Sequence, residues 1–155
     1  MNDLEYLIST NSEWLDLDVI HTFLSEQSYW ARGIPRDVVA RSISHSVCFG
    51  VYAMENSPSN LDRRQIGFAR VTTDRATFAY LGDVFILPEH RGRGLSKRLM
   101  EAILAHPDLQ GLRRWMLATA DAHELYRKFG FGPLSQPELL MQRHDPDVYK
   151  RTSLH

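Results

Sequence analysis

The chain has 155 residues, of which 43% are hydrophobic and 24% are charged, and its formal net charge is −1. This length favours one domain with a buried core, and the composition excludes a largely disordered chain. The near-neutral charge, with a pI near 6.6, disfavours nucleic acid as a partner, because nucleic-acid-binding proteins usually carry a basic surface.

Cysteine, histidine and the amino terminus exclude further classes of protein. The single cysteine, Cys48, excludes an internal disulfide and lies in the apolar run VCFGVYA, where a cysteine is usually a small core residue. The seven histidines show no spacing typical of a metal site, so we expect no metal. The start MNDLEYLIST lacks a signal-peptide pattern and no apolar run could span a membrane, which favours a cytoplasmic location.

The first third of the chain predicts a strand followed by two helices. LEYLIST is typical of a strand, and Asn11 or Ser12 can cap a helix from about Glu13 to Gln27. PRDVVARSISHS predicts the second helix, since proline is tolerated at the first helical position. The sequence YWARG, residues 29–33, links the two helices.

The middle of the chain predicts three successive antiparallel strands. They are HSVCFGVYAM, RQIGFARVTTD and TFAYLGDVFILP, separated by the turn-rich sequences ENSPSNLDR and TDRA. The third is continuously apolar from Val84 to Leu87, as expected of a central strand that is covered on both faces.

The last third predicts a helix, a strand, a helix and a strand. An amphipathic helix begins near Gly94, because one helix face carries Leu95, Leu99, Ala102 and Ile103. RRWMLATA then predicts a strand, DAHELYRKFG a short helix that ends at Gly130, and PELLMQRH the last strand. The order β-α-α-β-β-β-α-β-α-β predicts an α+β fold with a mixed central sheet flanked by helices on both faces. We expect residues 1–144 to form the domain and 145–155 a tail.

The stretch FILPEHRGRGLSKRLM joins the third predicted strand of the middle region to a helix through a basic glycine loop. The first N–H groups of a helix lack internal partners and form an anion site at the positive end of the dipole. Gly92 and Gly94 allow close approach to those groups, while Arg91 and Arg93 can bind phosphate oxygens. The loop therefore predicts a phosphate site.

Three other interpretations of this loop follow from glycine-rich patterns. A P-loop needs Gly-Lys-Ser/Thr, and a dinucleotide-binding fingerprint needs a third glycine where Lys97 stands. The two glycines could also simply make a tight turn between strand and helix. That interpretation becomes less attractive when a second motif, AHELYRKFGF, follows near the carboxyl terminus.

The element order with LPEHRGRGLS and AHELYRKFGF resembles the GNAT superfamily of acyl-CoA-dependent N-acyltransferases, over roughly residues 4–141. The resemblance implies that acetyl-CoA is the co-substrate and that the loop amides bind its pyrophosphate, at Arg91, Gly92, Arg93, Gly94, Leu95 and Ser96. Ser96 departs from the family's usual Gly or Ala. The resemblance also implies that the main chain of Val84, Phe85 and Ile86 pairs with the pantetheine arm where two strands splay apart.

The second motif implies residues for catalysis and cofactor contact. Tyr126 matches the tyrosine that protonates the departing thiolate in many family members, and a phenol can donate to a thiolate as the C–S bond breaks. An alternative is that Tyr126 only packs its helix on the sheet. Ala122 matches a small residue beside the cofactor, and Thr119 stands where the family often has an asparagine.

Asp83 is the candidate for the base. A lysine-like amine is mostly charged at pH 7 and must lose a proton before it attacks, so a base or a water chain is needed. Asp83 lies just before the segment expected to pair with pantetheine. The alternative is a structural carboxylate paired with Arg70 on the preceding strand.

The acceptor pocket of this family is built largely from the first two helices and their linker. Tyr29, Trp30 and Arg32 are therefore candidates for contacts with the acceptor. Aromatic rings suit an apolar or cationic amine and Arg32 suits an anionic one, so the acceptor stays open.

These observations predict an N-acetyltransferase that acts on a primary amine of a small molecule or peptide, with a homodimer among the possible assemblies. A module of the same fold that binds acyl-CoA without catalysis is the alternative. Use of the basic loop as a nucleic-acid patch is disfavoured by the near-neutral charge.

Overall fold

The computed structural model describes residues 4–57 and 60–152. Within these residues one five-stranded sheet has the strand order β1-β2-β3-β4-β5. Neighbouring strands are antiparallel except β4 and β5, which are parallel. The predicted mixed sheet is therefore confirmed, with strands β1 (Glu5–Ser9), β2 (Val47–Ser57), β3 (Asn60–Thr73), β4 (Phe78–Ile86) and β5 (Arg114–Leu117).

Helices cover both faces of the sheet, as predicted. The described α-helices are α1 (Leu17–Thr22), α2 (Arg36–Ser44), α3 (Leu95–Ala105), α4 (His123–Arg127) and α5 (Val148–Thr152). The helix α3 buries Leu95, Leu99, Met100 and Ile103 in one core cluster with inward side chains of β2, β3 and β4. The opposite cluster packs α1 and α2 against β3 and β4, and in it the ring of Phe23 stacks on Phe85 with centroids 4.0 Å apart.

The first predicted helix is wrong in its bounds. Asn11 caps only a single 3₁₀ turn, Ser12–Trp14, and α1 begins after Asp16, whose carboxylate accepts from the N–H groups of Asp18 and Val19. The chain then continues as a π-helical turn, Phe23–Gln27. One reason for the late start is that the N–H of Asp16 donates to the side chain of Gln65 on β3, which holds the chain extended at this point.

The predicted last strand is also wrong. Residues 137–144 contain a 3₁₀ turn, Pro137–Leu139, and otherwise no regular structure, so β5 pairs only with β4 in the described part of the chain. Pro137 cannot donate a ladder hydrogen bond, which disfavours a strand at its position. Beyond it, the expected tail contains α5, and Tyr149 packs against the α1–α2 core cluster.

Among the described residues, no helix combines the length and the apolar composition needed to cross a membrane.

Candidate active site

The sheet opens between β4 and β5. Pairing of these parallel strands runs from Phe78 with Arg114 to Leu81 with Leu117 and then ends, although β4 continues to Ile86. Over its last residues β4 therefore pairs only with β3 in the described chain. A strand edge with free N–H and C=O groups can bind an extended ligand, so this gap is the first element of a site.

A β-bulge lies in β4 where its pairing with β5 ends. Gly82 is paired with Arg70 and Phe85 with Phe68, so Asp83 and Val84 together oppose one residue of β3. Asp83 has a φ of 54°, in the left-handed region. A bulge bends a strand and redirects a side chain, and Asp and Asn tolerate this conformation better than most residues.

The register decides which main-chain groups face the gap. The N–H of Leu87 donates to Ile66 on β3 at 2.8 Å. The direction of the main-chain hydrogen bonds alternates along an antiparallel strand. The N–H and C=O groups of Phe85 therefore also point to β3, whereas those of Val84 and Ile86 point into the gap. The ring of Phe85 is buried against Phe23. Of the three predicted pantetheine-binding residues, this register supports main-chain contacts from Val84 and Ile86 and not from Phe85.

The glycine loop forms a concave end to the gap. Gly92 and Gly94 have φ values of 78° and 72°, and a Cβ placed on either glycine would meet no atom within 4 Å. Gly94 is the cap residue of α3, so the first N–H groups of the helix open onto this space. Ile86, His90 and Ser96 help to line the pocket, whose volume is about 200 Å³.

Arginines surround the loop. The Nε–H of Arg91 donates to the main-chain oxygen of Ile86 at 2.8 Å, so this guanidinium lies at the end of β4. Arg93 is exposed beside it. His90, which the sequence analysis did not single out, is 7% exposed and its Nδ1 lies 2.8 Å from the hydroxyl of Tyr6. Burial and the charges of nearby arginines lower the pKa of His90, which keeps the ring neutral.

Tyr126 lies on α4, beyond β5. It is 8% exposed, and its ring contacts Phe131 edge to face. Its hydroxyl makes no hydrogen bond to any other described residue. Burial raises the pKa of Tyr126 to about 12, and the neighbouring Tyr29 and Asp121 add to the rise. The phenol is therefore protonated at neutral pH and able to donate.

The loop between β5 and α4 is ordered by a threonine. The Oγ1 of Thr119 accepts from the N–H of Ala122 at 3.0 Å, which satisfies one main-chain donor at the start of α4. Ala122 is half-buried against the α3 core cluster. Both residues thus fix the position from which Tyr126 projects.

The carboxylate of Asp83 has two partners on opposite sides. Its Oδ2 accepts from Arg70 Nε at 2.8 Å and its Oδ1 from Trp30 Nε1 at 2.9 Å. The side chain of Asp83 is only 11% exposed. The pair with Arg70, which was the predicted alternative to a catalytic base, is present in the structure. The contact with Trp30, 53 positions away, had no signal in the sequence.

The linker between α1 and α2 brings Tyr29 and Trp30 to the same place. Tyr29 accepts a hydrogen bond from the N–H of Ala120, at 2.8 Å, just after β5. The rings of Tyr29 and Trp30 meet edge to face, with centroids 5.0 Å apart. Arg32, predicted with them, is exposed and makes no ion pair with the described residues. The structure thus joins Tyr29, Trp30 and Asp83 and leaves Arg32 outside their network.

An open strand edge that leads to a pocket lined by glycines and an arginine suits an extended ligand with an anionic end. That combination, with a buried tyrosine beyond the gap, is typical of acyl-CoA-dependent transferases. Residues 49–133 match the family model for the acetyltransferase (GNAT) domain. The chain belongs to the GNAT acetyltransferases.

Two relatives support this assignment over most of the chain. A crystal structure described as a "putative acetyltransferase belonging to the gnat family" from Xanthomonas campestris is 54% identical, with a TM-score of 0.85, covering 94% of this chain and 96% of that one. The "Putative acetyltransferase FG08082" of Gibberella zeae is 36% identical over 80% of this chain and 77% of its own length.

A more distant structure shares the fold. It is a "predicted acetyltransferase with acetyl-CoA" from Clostridium acetobutylicum, 14% identical, with a TM-score of 0.61 over 91% of this chain and 96% of that one.

Proposed function

We propose that this GNAT acetyltransferase transfers the acetyl group of acetyl-CoA to a primary amine of a small molecule or peptide. The observation that carries the proposal is the open edge of β4 at Val84 and Ile86, which leads directly to the pocket at Gly92 and Gly94. The Clostridium acetobutylicum structure, which contains acetyl-CoA, supports the choice of co-substrate for this fold.

The chain offers matching groups for the pantetheine arm and the pyrophosphate of such a ligand. The N–H and C=O groups of Val84 and the N–H group of Ile86 would pair with the pantetheine amides, as one strand pairs with another, while the C=O group of Ile86 accepts from Arg91. The amides from Gly92 to Ser96 would bind the pyrophosphate at the amino end of α3. Arg91 and Arg93 would add charge-assisted hydrogen bonds to phosphate oxygens.

The reaction needs one proton removed and one supplied. The lone pair of a neutral amine forms the N–C bond to the acetyl carbon, the C–S bond breaks, and the thiolate of coenzyme A takes up a proton. Tyr126 is the proposed proton donor, because its phenol is protonated at working pH and forms no hydrogen bond within the described chain. The amine itself loses a proton, for which a base is required.

Asp83 is the proposed base. Each of its oxygens accepts one hydrogen bond, and a carboxylate oxygen has a further lone pair, so the group can still accept from an amine or from a bridging water. A base held by a third group is a recurring arrangement in catalysis. Tyr29 and Trp30 would meet the acceptor near this carboxylate, and Arg32, exposed on the same linker, is a further candidate contact.

The co-substrate is tested by thermal unfolding with acetyl-CoA. At about 100 times the dissociation constant the ligand stabilises the fold by about 2.7 kcal/mol, a melting shift of several degrees. Adenosine should shift the midpoint far less, because it lacks the pyrophosphate and the pantetheine arm. No shift at millimolar acetyl-CoA would contradict the proposal.

A matched pair of variants locates the binding. Gly94→Ala places a methyl group in the pocket at a φ of 72°, and Gly111→Ala imposes the same strain at a φ of 70°, remote from the pocket. Both variants should melt earlier than the parent. Only Gly94→Ala should lose most of the shift with acetyl-CoA. Equal melting shifts with acetyl-CoA in the two variants would show that the phosphates bind elsewhere than at this loop.

The alternative, binding without catalysis, predicts the same melting shift and no transfer. Thiol release from acetyl-CoA with a panel of alkylamines, arylamines and lysine peptides separates the two. A homodimer, one of the possible assemblies, stays a prediction. The described surface that favours it is the outer edge of β5 beside exposed Leu139, and sedimentation equilibrium would test it.

A further inference from the structure

The linker between α1 and α2 touches both strands at the point where the sheet opens. Trp30 donates to Asp83, two positions after the last β4 residue that pairs with β5. Tyr29 accepts from the N–H of Ala120, three positions after Leu117, the last paired residue of β5. The adjacent side chains Tyr29 and Trp30 therefore span the gap from one strand to the other. We call this pair of contacts the bridge.

The linker that carries the bridge is held in a fixed turn. The buried Ser28 donates through Oγ to the oxygen of Leu24 at 2.6 Å and accepts from the N–H of Ala31 at 3.1 Å. The N–H of Gly33 donates to the oxygen of Ser25 at 2.9 Å. Because both ends of the linker are fastened to the preceding helical turn, the two aromatic side chains have a defined direction.

Asp83 is fixed from the other side by a polar network. Besides its bond to Asp83, Arg70 donates through one terminal nitrogen to the hydroxyls of Ser46 and Thr72, each at 3.1 Å. The carboxylate thus stands between an arginine anchored in the sheet and an indole anchored in the linker. Removing the indole N–H would leave it with Arg70 as its single described partner.

We propose that Tyr29 and Trp30 are positioning residues that set the geometry of the gap, Trp30 by orienting the Asp83 carboxylate and Tyr29 by fixing the loop before α4. The inference rests on the proposed function and adds that these two residues act through hydrogen bonds across the gap and do more than line an acceptor pocket. Tyr29 acts on the same side as Tyr126, which α4 carries. The bridge therefore contacts Asp83 directly and, at Ala120, the loop that leads to the helix of Tyr126.

The kinetic test removes the two bridging groups one at a time. Trp30→Phe keeps an aromatic ring beside Tyr29 and Phe23 but removes the N–H together with part of the indole's bulk, whereas Tyr29→Phe removes only the oxygen that accepts from Ala120. With the best amine of the panel, each should lower kcat over acceptor KM roughly tenfold to a hundredfold. The KM for acetyl-CoA and its melting shift should change less than about twofold, because Val84, Ile86 and the loop are untouched.

Trp14→Phe is the matched control. Trp14 packs on Tyr52 and Arg63, away from the gap, and should keep the parent's kinetics. A loss of acetyl-CoA binding in Trp30→Phe that equals its loss of turnover would mean general damage to the fold and would overturn the proposal. Parent-like kinetics in both bridge variants would overturn it as well.

A double-mutant cycle tests whether Trp30 acts through Asp83. Asp83→Gly removes the carboxylate and suits the φ of 54°. If Trp30 works through that carboxylate, adding Trp30→Phe to Asp83→Gly should lower the rate no further. Additive losses would contradict the inference.

The NMR signal of the Trp30 indole N–H tests the bridge independently of turnover. In a ¹H–¹⁵N spectrum, Trp30→Phe identifies one of three indole N–H signals, and Asp83→Gly should move that signal and leave the other two in place. An unmoved Trp30 signal would show that the bond is absent and overturn the bridge. If the parent acetylates no amine, the proposed function fails and the positioning role with it, while this signal still reports whether the bond exists.

Discussion

The Nε–H of Arg91 donates a 2.8 Å hydrogen bond to the main-chain oxygen of Ile86, which ties the glycine loop to the open end of β4. An arginine can hold this oxygen through Nε and still present two terminal nitrogens to a phosphate. A lysine has one nitrogen at the end of a flexible chain. The two proposed ligand contacts, strand edge and phosphate pocket, are thus joined by one side chain.

Arg91→Lys should therefore weaken acetyl-CoA binding about tenfold, which corresponds to about 1.4 kcal/mol. Arg93→Lys is the control, because Arg93 is exposed and no hydrogen bond holds it to described residues, so a charge at that position should suffice. Isothermal titration with acetyl-CoA measures both. Equal affinities in the two variants would show that the bond to Ile86 does not matter for binding.

Tyr126→Phe should lower turnover by roughly tenfold to a thousandfold, because the ring and its packing stay and only the proton donor is lost. Acetyl-CoA affinity should stay near that of the parent. Since burial raises the pKa of Tyr126 to about 12, the rate should show no decline from its ionisation between pH 7 and 10. Turnover equal to that of the parent at saturating acceptor would show that Tyr126 only packs its helix on the sheet.

Asp83→Asn separates a base from a structural carboxylate when two amines are compared. An alkylamine is mostly charged at pH 7 and must lose a proton, whereas an arylamine is already neutral. If Asp83 is the base, transfer to the alkylamine should fall about a hundredfold and transfer to the arylamine far less. Equal losses with both amines, together with a lower melting temperature, would indicate that Asp83 mainly partners Arg70 and Trp30.

The periodic elements of this fold were predictable from the sequence, and the elements that depend on distant contacts were not. Strands β2, β3 and β4 and the helix α3 carry strong apolar patterns and lie where the patterns indicate. The predicted turn region ENSPSNLDR is too long, because β2 continues to Ser57 and β3 begins at Asn60. The start of α1 depends on a bond from Asp16 to Gln65, which lies 49 positions away. PELLMQRH has a strand-like composition, but Pro137 cannot donate a ladder hydrogen bond, and the segment forms a 3₁₀ turn although the outer edge of β5 is open among the described residues.

In the candidate site, too, the features with a local sequence pattern were predictable and those that depend on distant contacts were not. The glycine loop is contiguous in sequence, so the turn at Gly92 and Gly94 and the start of α3 could be predicted from local pattern alone. The pair between Arg70 and Asp83 was foreseeable because the two residues lie on adjacent strands, 13 positions apart. The contact of Trp30 with Asp83 joins a linker to a bulge, and neither the bulge nor the direction of the linker has a local signature.

Three buried groups make the protein sensitive to alkaline pH. Burial raises the pKa of Cys48, Tyr52 and Tyr126 to about 12 in each case. In the unfolded chain the thiol ionises near pH 8.5 and the phenols near pH 10. The folded state therefore holds these protons more tightly than the unfolded state, and stability falls wherever the unfolded chain has already lost them.

The melting temperature should accordingly stay level from pH 7 to about 8.5, begin to fall as the thiol of the unfolded chain ionises, and fall more steeply above about pH 10. Cys48→Ala removes the first group and leaves the two phenols. The fall between about pH 8.5 and 10 should therefore be shallower in Cys48→Ala than in the parent, while the steeper fall above pH 10 remains in both. Thermal unfolding followed by circular dichroism at half-unit intervals of pH measures the two slopes. Identical slopes in parent and variant below pH 10 would mean that the Cys48 thiol is reached by solvent and ionises in the folded protein as it does in the unfolded one.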